Sequence, residues 1–237
     1  MIKDYEVHTY DTDVSRHLSF VALCNYLQDA AASHAVQLQL GYGDLQRQQL
    51  AWVLRQMRVE TTGRALWGDT VRIETWPRRP DRLLAHRDFL VTNGKGEEIA
   101  RATTAWLIID TEKRKHILMD PEMFREYHFR ERAVFGEPPH ALPRVKETEK
   151  LFEKTVRFSD LDMNNHVNNV VYIRWIMDAY RQENEGVYPS RFDIVHGHEI
   201  LLGQQAGIYR HRRDGFLLYQ VKTEDTGKIA ATAVVEE

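Results

Sequence analysis

The sequence predicts an α+β chain built from two tandem copies of one unit, each a long helix laid on an antiparallel sheet. Three observations carry this. Asp11, Asp13, His17, Asp29 and Ala30 find counterparts 149 residues on, in Asp160, Asp162, His166, Asp178 and Ala179. Each copy enters a long apolar run directly after that cluster, and each run is followed by four strand-like segments punctuated by turn residues. A helix followed by antiparallel strands buries its apolar face as a two-layer arrangement.

Each copy opens on a short strand-like run, residues 5–9 in the first and 154–158 in the second. Ser19 and its counterpart Asn168 are good N-cap residues. The first helix runs from about Phe20 towards Gly41. The second is hydrophobic nearly all round from Val170 to Tyr180, with Arg174, Asp178 and Arg181 as its one polar stripe. Such a helix sits inside a protein, and Gly186 and Pro189 supply its stop signals. Strands are expected at 52–61, 70–77, 84–92 and 98–110, with Asn93-Gly94-Lys95-Gly96 as a hairpin turn. In the second copy they are expected at 192–202, 207–212, 216–224 and 228–235, with Asp214-Gly215 and Thr226-Gly227 as turns. The repeat offset shrinks downstream, to 135 where 64–69 aligns with 199–204 and to 130 where 99–103 aligns with 229–233. The first copy therefore carries longer loops. The expected domains are 1–120 and 150–237. Residues 121–149, charged and bearing Pro138, Pro139 and Pro143, read as the linker.

The densest chemistry lies in Asp160–Asn169. Capping accounts for Asn168 or Asn169, but Asp162, Asn164 and His166 stand too far upstream to cap the same helix. Those three read as a site, at the mouth of a core helix where carboxylate pKa values can be tuned.

Composition bounds the rest. A formal charge of −3 gives no global reason to expect nucleic acid. Cys24 is the only cysteine, so an intramolecular disulfide is impossible and a reducing cytoplasm is expected. Residues 1–6 lack the apolar core of a signal peptide, and no run approaches the roughly 18 apolar residues of a membrane span. His196 and His198, expected on one face of a strand, lack a third ligand with recognisable spacing. No Gly-rich phosphate loop appears. Neither a metal nor a cofactor is expected.

A short strand, an Asp-x-Asp-x-x-x-His cluster, a central helix and a wrapping sheet resemble the hotdog fold. Two tandem copies resemble the double-hotdog acyl-ACP thioesterases of plants and bacteria, over nearly the whole chain. The likeness rests on residues 52–57, on Trp67-Gly68-Asp69, Glu74-Thr75-Trp76, Arg87-Asp88-Phe89 and 101–106, and on 159–173 in the second copy. It implies hydrolysis of the thioester joining a fatty acyl chain to the phosphopantetheine arm of acyl carrier protein, in the C-terminal hotdog. Asp162, Asn164 and His166 match the family's Asp-x-Asn-x-His element, and Glu199 matches the strand carboxylate that completes the site. Plant members place a cysteine after that glutamate. Here the position is Ile200, so a cysteine nucleophile is missing there, and Cys24 reads as a small buried thiol.

The first copy is worn: Ser15 replaces the Asn and Arg64 the Glu, and an arginine is no general base near neutral pH. One active site per chain is implied, with the N-terminal unit holding the acyl tail. Val53, Leu54, Met57, Leu23 and Leu27 would line it, although for each plain core is the better reading. Asp162 would attack the thioester directly or serve as base for water, Asn164 would polarise the carbonyl or hold Asp162, His166 would move a proton, and Glu199 would activate water. The first N–H groups of the Asn168 helix would add to an oxyanion site. The acidic carrier would meet Arg78, Arg79 and Arg82, or Arg210, His211, Arg212 and Arg213, each cluster equally readable as a solvated turn. Two units in one chain mimic the usual hotdog dimer, and a homodimer of chains is left open. The rivals are an acyl-CoA thioesterase on the same fold, a non-catalytic acyl-binding regulator, and a hotdog dehydratase, which the Asn164 spacing fits less well.

Overall fold

The computed structural model describes residues 1–124, 127, 129–136, 141–213 and 216–237. The expected turn at Asp214-Gly215, the prolines Pro138 and Pro139, and the Arg213 side chain lie outside the described residues. The chain divides into two compact units, Met1–Pro138 and Pro139–Glu237. Among the described residues no helix is long and apolar enough to cross a membrane.

The first unit runs β1 (Ile2–Glu6), a 3-10 turn (Thr9–Asp11), α1 (Phe20–Gln37), α2 (Tyr42–Gln46), β2 (Leu50–Thr61), β3 (Thr70–Pro77), β4 (Ala85–Asn93), β5 (Glu98–Asp110) and β6 (Lys115–His116). Its strands pair antiparallel in the order β1-β3-β4-β5-β2, with β6 on β5. Phe20, Leu23, Cys24, Leu27, Ala30 and Ala31 make the buried stripe of α1. The Ser19 hydroxyl caps it, accepting from the Ala22 N–H at 3.2 Å. The helix ends earlier than Gly41 because Gln39 takes a φ of 57°, and α2, which no periodicity announced, follows. The opening strand also sits earlier than residues 5–9. The Asp11 carboxylate accepts the His8 N–H at 3.1 Å and turns the chain there. The tail-lining candidates Leu23, Leu27, Leu54 and Met57 are all buried.

The second unit runs β7 (Glu149–Thr155), a 3-10 turn (Phe158–Asp160), α3 (Asn169–Glu183), β8 (Arg191–His196), β9 (Gln205–Arg213), β10 (Phe216–Thr223) and β11 (Ile229–Glu236). Its order is β8-β11-β10-β9-β7, again antiparallel. The opening strand, β7, lies upstream of the expected 154–158. In α3, Val170 to Ile173, Trp175 to Met177, Ala179 and Tyr180 are buried, and each large apolar side chain contributes roughly 1.5–3 kcal/mol on burial. Arg174 and Asp178 are the exposed stripe, and Asn168 caps the helix by accepting the Val170 N–H at 2.9 Å.

One strand is shorter than its sequence suggests. The expected 192–202 ends at His196, the close of β8. Gly197 lies so close to β11 that a Cβ there would stand 2.5 Å from the Ile229 carbonyl oxygen. Gly203, with a φ of 82°, then turns the chain back into β9. Residues 197–204 are therefore a loop, and Glu199 stands on it instead of on a strand. For the same reason His196 and His198 share no strand face: His196 is buried in β8 and His198 is exposed on the loop.

Candidate active site

The site is built on the loop between β7 and α3. Asp160 closes the 3-10 turn, accepting the Arg157 N–H at 2.9 Å, and its other oxygen receives Arg174 of α3 at 2.5 Å. The Asp160 carbonyl also takes the Asn168 N–H at 2.9 Å. This carboxylate is a clasp between loop and helix, which leaves Asp162 as the loop's chemical group.

A tight turn wraps Asp162. Its N–H donates to the His166 carbonyl at 2.9 Å, and its carbonyl accepts the Asn165 N–H at 3.0 Å, with Asn165 in the left-handed region at φ 64°. Asp162 Oδ1 accepts the backbone N–H of Asn164 at 2.8 Å and of His166 at 3.3 Å. Among the described residues, Asp162 Oδ2 meets only the Asn164 amide, at 3.5 Å. One oxygen is tied to the backbone and the other is presented outwards.

The loop after β8 brings in the fourth residue. Val167 N–H donates to the Ile200 carbonyl at 3.3 Å, and Glu199 Oε2 lies 3.4 Å from His166 Nε2, both side chains about a third exposed (31% and 35%). The structure thus brings Asp162, Asn164, His166 and Glu199 together, with Glu199 on a loop. A carboxylate on one ring nitrogen orients the imidazole and leaves its other nitrogen to give or take a proton.

Sequence reasoning missed Tyr172. It lies in the first turn of α3, buried, with its ring edge-on to Trp175 and His196, centroids 5.7 Å away in each case. Burial foremost, with Glu199 and Asp162 nearby, pushes its phenol well above the ordinary range, opposed by the Ile200 backbone. The signal is a hydroxyl on the apolar face of the helix, where an aromatic ring alone reads as core.

In the first unit, Arg64 ion-pairs with Asp13 and donates to the Ser15 hydroxyl at 3.1 Å. Burial works against ionisation of Asp13, but Ser15 and Arg64 together hold its carboxyl below the usual range. His17 Nδ1 turns to the Ser15 carbonyl at 2.9 Å.

Family comparisons fit this geometry. The acyl-ACP thioesterase N-terminal domain matches residues 1–127 and the acyl-ACP thioesterase C-terminal domain matches residues 144–235. The chain belongs to the acyl-ACP thioesterase family. A chloroplastic acyl-[acyl-carrier-protein] hydrolase of Cuphea viscosissima is 30% identical over 190 residues, covering 75% of this chain and 46% of that protein. An oleoyl-acyl carrier protein thioesterase of Arabidopsis thaliana is 28% identical over 199 residues, covering 75% and 53%. The chain spans about half the length of the curated relatives it matches. Two solved structures share the tandem hotdog fold. An acyl-ACP thioesterase from Bacteroides thetaiotaomicron has a TM-score of 0.89 at 22% identity, covering 100% of this chain and 96% of that one. A 12:0-ACP thioesterase from Umbellularia californica has a TM-score of 0.88 at 24%, with the same coverage.

Proposed function

We propose that the chain hydrolyses the thioester between a fatty acyl group and acyl carrier protein, releasing free fatty acid and the carrier thiol. Family membership supports the substrate class. The observation that carries the chemistry is the His166–Glu199 pair beside an Asp162 whose Oδ2 is presented outwards.

In the reading the geometry supports best, Asp162 Oδ2 attacks the thioester carbonyl carbon. The C–S bond breaks, and the departing phosphopantetheine sulfur takes a proton from the His166 imidazolium. The product is an acyl–Asp162 anhydride. Glu199 and the now neutral His166 then remove a proton from water as it attacks, the anhydride C–O bond breaks, and free acid leaves with Asp162 restored. The Asn164 amide stands where it can donate to the substrate oxygen. No metal or cofactor enters these steps.

The test is turnover on a panel of acyl-ACPs. Asp162→Ala is expected to lower kcat by about 10³-fold or more with folding intact. In single-turnover runs stopped by rapid quench, mass spectrometry of the Asp162 peptide finds a transient acyl adduct if Asp162 attacks directly and none if it serves as base for water. Matched acyl-ACP and acyl-CoA substrates settle the carrier, and binding of acyl chains without release of acid would return the regulator reading. For the compartment, a single buried cysteine supports a reducing one, the cytoplasm, which fractionation tests. A homodimer is the assembly that the habit of the fold supports, and light scattering tests it.

A further inference from the structure

Resting on that reading, the geometry points to the face that receives the carrier. The basic loops singled out in the sequence serve it poorly. Arg210 is held by Glu149 at 2.6 Å and by Glu183, and His211 Nδ1 meets the Glu147 carbonyl at 2.8 Å. Arg210, His211, Glu147 and Glu149, with Thr148 and Arg212, line a shallow cavity of about 450 Å³. Arg78 lies 3.9 Å from the buried Asp88 carboxylate, and Arg79 covers the Phe129 ring. Arg78, Arg79, Arg210 and His211 are thus committed to neighbours within their own units.

A different surface borders Glu199 and His166. The loop 197–204 is pinned on three sides. Ile200 receives the Val167 N–H, Val156 exchanges N–H bonds with Gln204 and Gly203 at 2.9 and 3.1 Å, and the His198 N–H donates to Ile229 at 3.1 Å. On and beside it stand Leu201, Leu202, Met163 and Phe158, 47%, 56%, 72% and 84% exposed. That much apolar surface around one site marks an interaction face. Two exposed cations flank it: Arg157, between Val156 and Phe158, and Lys228, next to Ile229. Among the described residues neither has an ion-pair partner.

The first unit supplies an internal contrast. It keeps three of the four apolar positions, with Val14, Leu66 and Trp67 exposed where Met163, Leu201 and Leu202 stand in the second, and has Thr9 in the place of Phe158. It loses both cations. His8, in the place of Arg157, lies 3.4 Å from Asp11, and Glu98 takes the place of Lys228. Positive charge accompanies the apolar patch at these two positions only in the copy that carries the chemistry.

We propose that Arg157, Phe158, Leu201, Leu202 and Lys228 form the docking face for the acidic acyl carrier protein. The cations steer and orient it while the leucines and phenylalanine supply buried apolar contact. The thioester on its arm is then delivered to the adjoining Glu199–His166 pair.

The test compares Arg157→Glu/Leu202→Ser with a matched first-unit control, Arg16→Glu/Leu66→Ser. Each is assayed on acyl-ACP and on the same acyl group carried by free pantetheine, and binding of holo-carrier without an acyl chain is measured by calorimetry. The second-unit variant is expected to raise KM for acyl-ACP about 10-fold or more and to weaken holo-carrier binding likewise, with acyl-pantetheine turnover within about twofold of wild type. The control should leave all three within about twofold. Equal losses on both substrates, or an equal KM rise in the control, would overturn the docking face. A wild type that turns over acyl-pantetheine but neither binds holo-carrier nor uses acyl-ACP sinks the carrier reading itself, and the face with it.

Discussion

In the first unit the Asp13 N–H donates to the His17 carbonyl at 2.9 Å and Arg16 takes a φ of 65°. In the second the Asp162 N–H donates to the His166 carbonyl at 2.9 Å and Asn165 takes a φ of 64°. The isolated bridges Thr12↔Leu18 and Leu161↔Val167 repeat at the same offset. The backbone that presents an aspartate at the mouth of a helix is therefore common to both copies and does not by itself make a site. Beyond Ser15 in the place of Asn164, the difference is one reversal of charge. Arg64 neutralises Asp13, whereas Glu199 leaves Asp162 its outward oxygen and gives His166 a carboxylate partner.

The sharpest way to break the comparison is to write the first copy's charge into the second. Glu199→Arg places a guanidinium within reach of Asp162. It is expected to lower kcat by about 10³-fold through loss of both the His166 partner and the nucleophile's freedom, with the melting temperature within a few degrees. Activity within tenfold of wild type would mean that Glu199 is not part of the machinery.

Tyr172→Phe keeps the buried ring and removes the hydroxyl beside Glu199 and Asp162. A positioning role predicts a fall in kcat of about 3–10-fold with KM unchanged, together with a displaced acid limb in the pH–rate profile. A purely structural tyrosine would leave that limb in place.

The two N-caps, the lengths of β3 and β5 and the buried face of α3 were legible because each rests on local rules: a hydroxyl or amide before an apolar run, β-branched residues between turns, an uninterrupted greasy stripe. What the sequence hid depends on contacts between distant segments. Ile200-Leu201-Leu202 reads as strand, yet the close approach of Gly197 to Ile229 takes the chain out of the sheet first, and both leucines end exposed. Asp160 and Asp162 are indistinguishable as letters, and only Arg174, one helical turn inside α3, makes the first a clasp. Glu199 was found through family resemblance alone, since nothing local separates it from any other surface glutamate.

Stability tests the inert copy. Asp13 has its folded pKa depressed, so its ionic stabilisation is present above the unfolded carboxylate pKa of about 3.9 and is lost as pH falls through the lower folded value. Asp13→Asn should therefore cost about 1–2 kcal/mol at pH 7, because it strands a partly buried guanidinium. The gap to wild type should close in acid. Denaturant melts at pH 7 and pH 3 measure it, and a gap independent of pH would mean that the Arg64 pair contributes nothing.

The far ends of the two helices differ in a second way. Glu183, 149 residues after His34, pairs with Arg210, 135 after Thr75. In the first unit the corresponding place holds Arg87, buried in β4, whose guanidinium lies 2.9 Å from His34 Nδ1 and 3.2 Å from the Thr75 hydroxyl. Burial, reinforced by Arg87, the N-terminal amine and Arg130, pushes His34 down to about 4, so Arg87 faces a neutral imidazole, and burial lowers Arg87 itself to about 10. Among the described residues no carboxylate pairs with Arg87, and a charge kept in the core in that way costs desolvation that hydrogen bonds to neutral groups only partly offset. Replacing it with an apolar side chain of similar length removes that cost, whereas replacing Arg210 leaves Glu183 unpaired. Arg210→Met should therefore lose about 1–2 kcal/mol and Arg87→Met within about 1 kcal/mol of zero, in either direction. Urea melts of the two variants decide it: a larger loss at Arg87 would mean that its contacts with His34 and Thr75 outweigh the desolvation, and that the first unit depends on that guanidinium as much as the second depends on its ion pair.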